Sequence, residues 1–142
     1  HPVYAQDGLL AFVQRSVEST DGNFDYSIKV WDPVVDPGMA NVTTVLASGL
    51  FVGIKKINWA NNSDQIVFMG RPPDGKRNNV YVLDLLSGNS DQFTSQLGWF
   101  PAFSSDDSQI VYSDGRGLKV LTLETGESAR VSRSGTSPDW KN

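Results

Sequence analysis

Sixteen carboxylates, twelve Lys or Arg side chains, one histidine and no cysteine set the chemistry open to this 142-residue chain. Without cysteine there is no thiolate nucleophile, cysteine zinc site or disulfide, and either a reducing or an oxidising compartment suits it. The one histidine, His1, is terminal, and without a second histidine neither a Ser-His-Asp relay nor a histidine metal cluster assembles readily within one chain. Neither a Gly-x-Ser-x-Gly elbow nor a Gly-x-x-x-x-Gly-Lys-Ser/Thr loop occurs, so acyl transfer and nucleotide binding lose their usual supports. Asp64, Asp106 and Asp107 stand among Ser and Asn at turn positions, where Asp is expected to bond the backbone rather than do acid-base work. Asp21-Gly22-Asn23-Phe24-Asp25 spaces oxygen ligands as a calcium loop does, but lacks the following Gly and the distal Glu, so a polar hairpin loop is the better reading. No catalytic residue, metal or cofactor is therefore expected.

Charge and hydropathy narrow the partners. The net charge of −4 has the wrong sign for displacing counterions from nucleic acid. No stretch approaches the roughly 18 consecutive apolar residues that a membrane-spanning helix needs. The sequence opens at His1 rather than Met, as a processed or excised chain does, and Val3-Tyr4-Ala5 resembles the end of a signal peptide with no apolar core before it.

The elements that must position these residues read as strands. Leu9 to Val13, Ile28 to Trp31, Gln65 to Met69, Val80 to Leu83, Gln109 to Tyr112 and Leu118 to Leu121 are short, rich in β-branched and aromatic residues, and bounded by turn formers. No segment keeps a capped 3.6-residue apolar period, so an all-β chain is expected. The segments also repeat: Ile57-Asn58-Trp59-Ala60-Asn61-Asn62-Ser63-Asp64-Gln65-Ile66-Val67-Phe68 aligns without a gap on Pro101-Ala102-Phe103-Ser104-Ser105-Asp106-Asp107-Ser108-Gln109-Ile110-Val111-Tyr112. An earlier copy, Pro2 to Phe12, is one residue shorter, and Ser137-Pro138-Asp139-Trp140 begins a fourth. A third strand follows each complete copy, then a hairpin leads to a fourth strand near Thr43 to Leu46, Asp91 to Thr94 and Ala129 to Ser132. Four antiparallel strands recurring every 40 to 45 residues or so describe propeller blades. A sandwich or open meander is the competing fold.

These copies resemble the propeller repeats of TolB and of the N-terminal domains of prolyl oligopeptidases and dipeptidyl peptidases: Pro-x-Trp-Ser-Pro-Asp-Gly, then Ile-Ala-Phe, Ile-Tyr-Val-x-Asp and Leu-Thr. The turns depart from that pattern at Asp7-Gly8, Ser63-Asp64 and Asp106-Asp107-Ser108. The resemblance implies one β-propeller module over residues 1-142, with approximate blades 1-54, 55-98 and 99-136, and 137-142 starting a further inner strand. It also implies an envelope or extracellular (extracytoplasmic) setting. In the similar peptidases the catalytic triad lies on a separate domain. The sequons at Asn41-Val42-Thr43 and Asn61-Asn62-Ser63 are expected to stay unmodified if the source is bacterial, as the resemblance leans.

Three blades fall short of the four to eight of natural propellers, so the outer faces of the end blades need partners. Joining Trp140 to Leu9 and Leu10 in register restores the repeat spacing, which suggests ring closure between two head-to-tail copies. The other possibility is that Pro2 to Ala5 is itself the inner strand and the chain is part of a longer propeller or complex. The loops on one face gather Phe51, Lys55, Arg71, Lys76, Arg77, Trp99 and Phe100, a candidate partner-binding rim of aromatic and cationic residues. Residues 1 to 54 carry six acids and two bases, while residues 55 to 142 carry ten of each, so the first blade is the acidic one. The expected function is a non-catalytic protein-interaction or assembly module that binds a protein partner or its own copies. The alternatives are a propeller associated with a hydrolase or peptidase, and a carbohydrate-binding propeller using exposed aromatics.

Overall fold

A computed structural model describes residues 2–16 and 24–140; His1 and most of the calcium-like stretch, Asp21 to Asn23, lie outside the described residues. The described residues form strands and turns with no helix. The strands are β1 (Val3–Tyr4), β2 (Leu10–Arg15), β3 (Tyr26–Trp31), β4 (Thr43–Leu46), β5 (Gly53–Trp59), β6 (Gln65–Arg71), β7 (Asn79–Asp84), β8 (Ser90–Gln92), β9 (Trp99–Phe103), β10 (Gln109–Ser113), β11 (Leu118–Thr122) and β12 (Ser128–Ser132). They pair into three four-stranded antiparallel sheets, β1 to β4, β5 to β8 and β9 to β12, each running in chain order from inner to outer edge. This is the expected all-β architecture, a partial propeller of three blades. β5 starts at Gly53, so the strand crosses the approximate boundary between residues 54 and 55.

The same turn joins the first two strands of every blade. The N–H groups of Gly8, Ser63 and Asp107 donate to the carbonyls of Ala5, Ala60 and Ser104 at 3.1, 3.1 and 3.0 Å. All three residues are left-handed, with φ of 92°, 60° and 58°. Where the first copy uses Gly, the other two place Ser and Asp in a conformation that costs a β-carbon roughly 1–2 kcal/mol. A second repeated irregularity lies in the inner strands, where Lys56 and Phe100 occupy equivalent positions with φ of 53° and 54°. There the pairing of β5 with β6 and of β9 with β10 shifts register, so each inner strand carries a bulge.

The core lies between blades. One cluster joins Ala11 and Ile28 of the first sheet to Ile66, Phe68 and Leu83 of the second. Another joins Val67, Val80 and Val82 of the second sheet to Ile110, Tyr112 and Leu121 of the third. Successive residues of β6 point to opposite faces, so Phe68 serves the first cluster and Val67 the second, and Ile66 to Gly70 are all buried. At roughly 1.5–3 kcal/mol for each fully buried aliphatic or Phe side chain, this stacking is the main force holding the blades together. The end blades each have a neighbouring sheet on one side only, although Val111 and Ser113, on the far face of β10, are buried all the same. β12 is exposed along almost its whole length, and Leu10 and Phe12 alternate with the core residue Ala11, which puts them on the far face of the first sheet, only half-buried.

Candidate interaction surface

Of the seven rim residues, four are exposed loop or strand cations. Arg71 ends β6 opposite Gly53, Lys55 lies in β5, and Lys76 and Arg77 occupy the loop before β7. Pro72 opens that loop, and its carbonyl accepts the Gly75 N–H at 3.0 Å, which closes a tight turn and holds Lys76 and Arg77 away from the core. Lys55 belongs to a strand rather than to one of the loops expected to form the rim, because pairing with β6 already begins at Gly53.

Phe51 does not belong to the rim. It is 4% exposed and fits edge-on against Phe68 (5.2 Å between centroids, 86°) and Tyr81 (4.8 Å, 80°). The space it fills exists because residue 70 is glycine; a β-carbon there would lie 2.8 Å from both the Phe51 and the Phe68 rings. The apolar ring gains more by leaving water between the first two blades than by standing on the surface. Sequence spacing alone could not separate a loop aromatic from a core one.

Trp99 and Phe100 are half-buried members of β9. Trp99 pairs with Ser113, while the Phe100 ring receives the Lys56 ammonium at 5.1 Å from its centroid, so the two bulge residues of adjacent inner strands meet across the blade boundary. The six remaining rim residues are therefore four exposed cations and two half-buried aromatics.

At the opposite end of the inner strands, a cleft of about 240 Å³ is lined by residues of all three blades and the final segment, among them Tyr4, Asn58, Trp59, Phe103 and Trp140. The indole N–H of Trp59, on the second blade, donates to the Val3 carbonyl of the first at 3.1 Å. Trp140 donates to the Ala102 carbonyl of the third blade at the same distance. Val3 and Ala102 are equivalent repeat positions, as are Trp59 and Trp140, so the final segment repeats the contact one blade makes with its predecessor. Phe103, the equivalent aromatic of the third blade, has no N–H to give; there the Asn58 side-chain oxygen of the second blade accepts the Phe103 backbone N–H at 3.3 Å. Within the chain, the inner position of the first sheet is held by Val3 and Tyr4, paired with Ala11 and Leu10, so Trp140 does not pair with Leu9 or Leu10 here.

Two of the three turn carboxylates, Asp106 and Asp107, hold turns together, whereas Asp64 takes part through its backbone N–H, which donates to the Asn62 side-chain oxygen at 3.0 Å. Asp106 accepts the Ser104 hydroxyl at 2.7 Å and the Ser108 hydroxyl and N–H at 2.8 and 3.1 Å. The Ser104 bond first, then those from Ser108, pull its carboxyl down to about 2. Asp107 instead reaches across to the second blade, accepting the backbone N–H groups of Asn61 and Asn62 and the Asn61 amide. That cross-blade clamp was not expected; its only sequence signal is the departure from Gly at the left-handed turn position. No group of three or more His, Cys, Asp or Glu side chains suited to a metal occurs among the described residues. No helix among them is long and apolar enough to cross a membrane.

No family model matches the sequence, and no curated relative matches it at the sequence level. Solved structures do match the fold. A putative TolB from Agrobacterium tumefaciens superposes with a TM-score of 0.72 at 14% identity, over 94% of this chain and 46% of that one. TolB from Acinetobacter baumannii gives 0.70 at 17% identity, over 96% and 32%. The β-propeller domain of the Trilobed protease from Pyrococcus furiosus, described as having an open velcro topology, gives 0.66 at 12% identity, over 94% and 42%. The chain thus spans less than half the length of each, and its fold is that of TolB-type propeller blades.

Proposed function

We propose that this chain is a non-catalytic propeller module, three blades of a larger ring, that assembles with further blades and binds a protein partner through its cationic rim. The observation that carries the reading is the Trp140 bond to Ala102, because it repeats the inter-blade contact of Trp59 with Val3, as the first aromatic of another blade would. The half-covered first blade supports it, since the apolar face of Leu10 and Phe12 gains from a neighbouring blade. The envelope or extracellular setting that goes with this reading rests on the resemblance of the repeats to TolB. Absolute mass by light scattering across a dilution series tests it. Two copies closing a six-bladed ring, with Trp140 of each taking the inner position that Tyr4 holds in the first sheet of the single chain, give a stable dimer that Trp140→Ala loosens toward monomer. A folded monomer at every concentration, unchanged by that substitution, overturns self-assembly.

A second reading, a propeller that accompanies a hydrolase, has its support in the likeness to the propeller domain of the Trilobed protease. It predicts a stoichiometric complex with a separately expressed peptidase domain, measurable by the same light scattering.

A further inference from the structure

On the rim face, the boundary between the second and third blades collects positive charge in a chain that is negative overall. A cleft of about 170 Å³ there is lined by Arg77 from the β6–β7 loop, Arg116 from the β10–β11 loop, Lys119 of β11 and Arg130 of β12, around a single carboxylate, Asp114. Lys119 and Arg130 face each other directly across the ladder, an arrangement of like charges that destabilises a sheet. Asp114 offsets the repulsion, 2.8 Å from Arg130 and 3.5 Å from Lys119. Its capacity ends there: among the described residues, no carboxylate pairs with Arg77 or Arg116, both exposed.

The cleft continues into a second hollow of about 220 Å³, which shares Gln96, Leu97, Asp114 and Lys119 and adds Phe93. Together they make one mainly polar groove, with its free cations at one end and Leu97 and Phe93 among its lining. A guanidinium fork matches a carboxylate, and Leu97 and Phe93 in the same lining suit an apolar side chain beside it rather than a bare inorganic ion. We propose that this groove binds an acidic peptide segment of a partner protein, its carboxylates on Arg77 and Arg116 and a neighbouring apolar side chain against Leu97 and Phe93. The inference deepens the reading of the chain as a protein-binding module by naming the partner's chemistry.

The test uses the whole chain and a fluorescently labelled peptide, Glu-Glu-Leu-Glu-Glu with blocked ends, followed by anisotropy at low salt. Saturable binding is expected, weakened about tenfold by either Arg77→Glu or Arg116→Glu and weakened again as salt rises. Both arginines sit on exposed loops, and thermal melts of the variants, with Arg77→Gln and Arg116→Gln as milder companions, separate lost binding from lost folding. Equal affinity for the Gln-Gln-Leu-Gln-Gln peptide, or indifference to both reversals, overturns the proposal. So does inorganic phosphate competing as tightly as the peptide, because the groove would then read charge alone. A ring-forming dimer that ignores the peptide sinks only this inference, while a monomer that binds it sinks only the self-assembled ring.

Discussion

The Asp107 carboxylate accepts the backbone N–H of Asn61 at 2.7 Å and its side-chain amide at 3.0 Å, although the two residues belong to different blades. Asn61 in turn accepts the Gln6 amide at 2.9 Å, so one line of hydrogen bonds ties the turns of all three blades together. Asp107 does this from a left-handed backbone, φ 58°. Asp107→Ala gives up the clamp and keeps the strain, and is expected to lose about 2 kcal/mol. Asp107→Gly gives up the clamp but relieves the backbone, and should lose about 1 kcal/mol less. Urea unfolding of the two variants checks the order; equal losses would mean that the strain contributes nothing.

The two sequons differ for the same reason. The amide of Asn61 is already spent on the Ser104 carbonyl at 3.0 Å and on Asp107, whereas Asn41 is exposed, just before β4. Secreted through a host that glycosylates Asn-x-Ser/Thr, the folded chain should carry sugar at Asn41 and none at Asn61. Peptide mapping by mass spectrometry reads this directly, and a glycan at Asn61 would mean that the clamp forms late or not at all.

The repeat made the fold legible from sequence. Gln65-Ile66-Val67-Phe68 and Gln109-Ile110-Val111-Tyr112 coincide because each strand buries both faces of its sheet, a demand that writes itself into residue types. The rim was less legible. Arg71, Lys76 and Arg77 are exposed as their types require, but Phe51 turned inward, and nothing in a loop sequence states that Gly70 leaves a space for its ring. Inter-blade contacts such as Asn61 with Asp107 were illegible for a related reason. They join residues 46 positions apart through backbone N–H groups that every residue possesses.

Phe51 offers a direct check on that correction. As a core ring between Phe68 and Tyr81, its replacement by Ala should cost about 3–5 kcal/mol. Gly70→Ala should cost about 1–3 kcal/mol, because the added methyl overpacks the same site. The paired substitution Phe51→Leu with Gly70→Ala should recover part of the loss, since the smaller side chain makes room for the methyl. Thermal denaturation of the three variants measures it. A Phe51→Ala chain as stable as the parent would return Phe51 to the surface.

Acid should loosen the third blade's first turn late. Asp106 is ionised well below the usual carboxylate range because its charged form holds Ser104 and then Ser108, with a carboxyl lowered from 3.8 to about 2. A depressed value means that the unfolded chain binds the proton more readily, so the contribution to stability is complete above 3.8 and fades as pH falls toward about 2. Asp84 is lowered too, by its bonds to Ser87. At Asp114, burial pushes the carboxyl up, but the Arg116 N–H and the charges of Arg130 and Lys119 outweigh it and leave it below the ordinary value. Both therefore lose stabilising power in the same direction. Comparing melting temperatures of the parent and Asp106→Asn isolates the one group: the gap should be constant above about pH 4 and close as pH approaches about 2. A gap that instead closes near neutral pH would assign the effect to some other group and remove Asp106 from the turn's support.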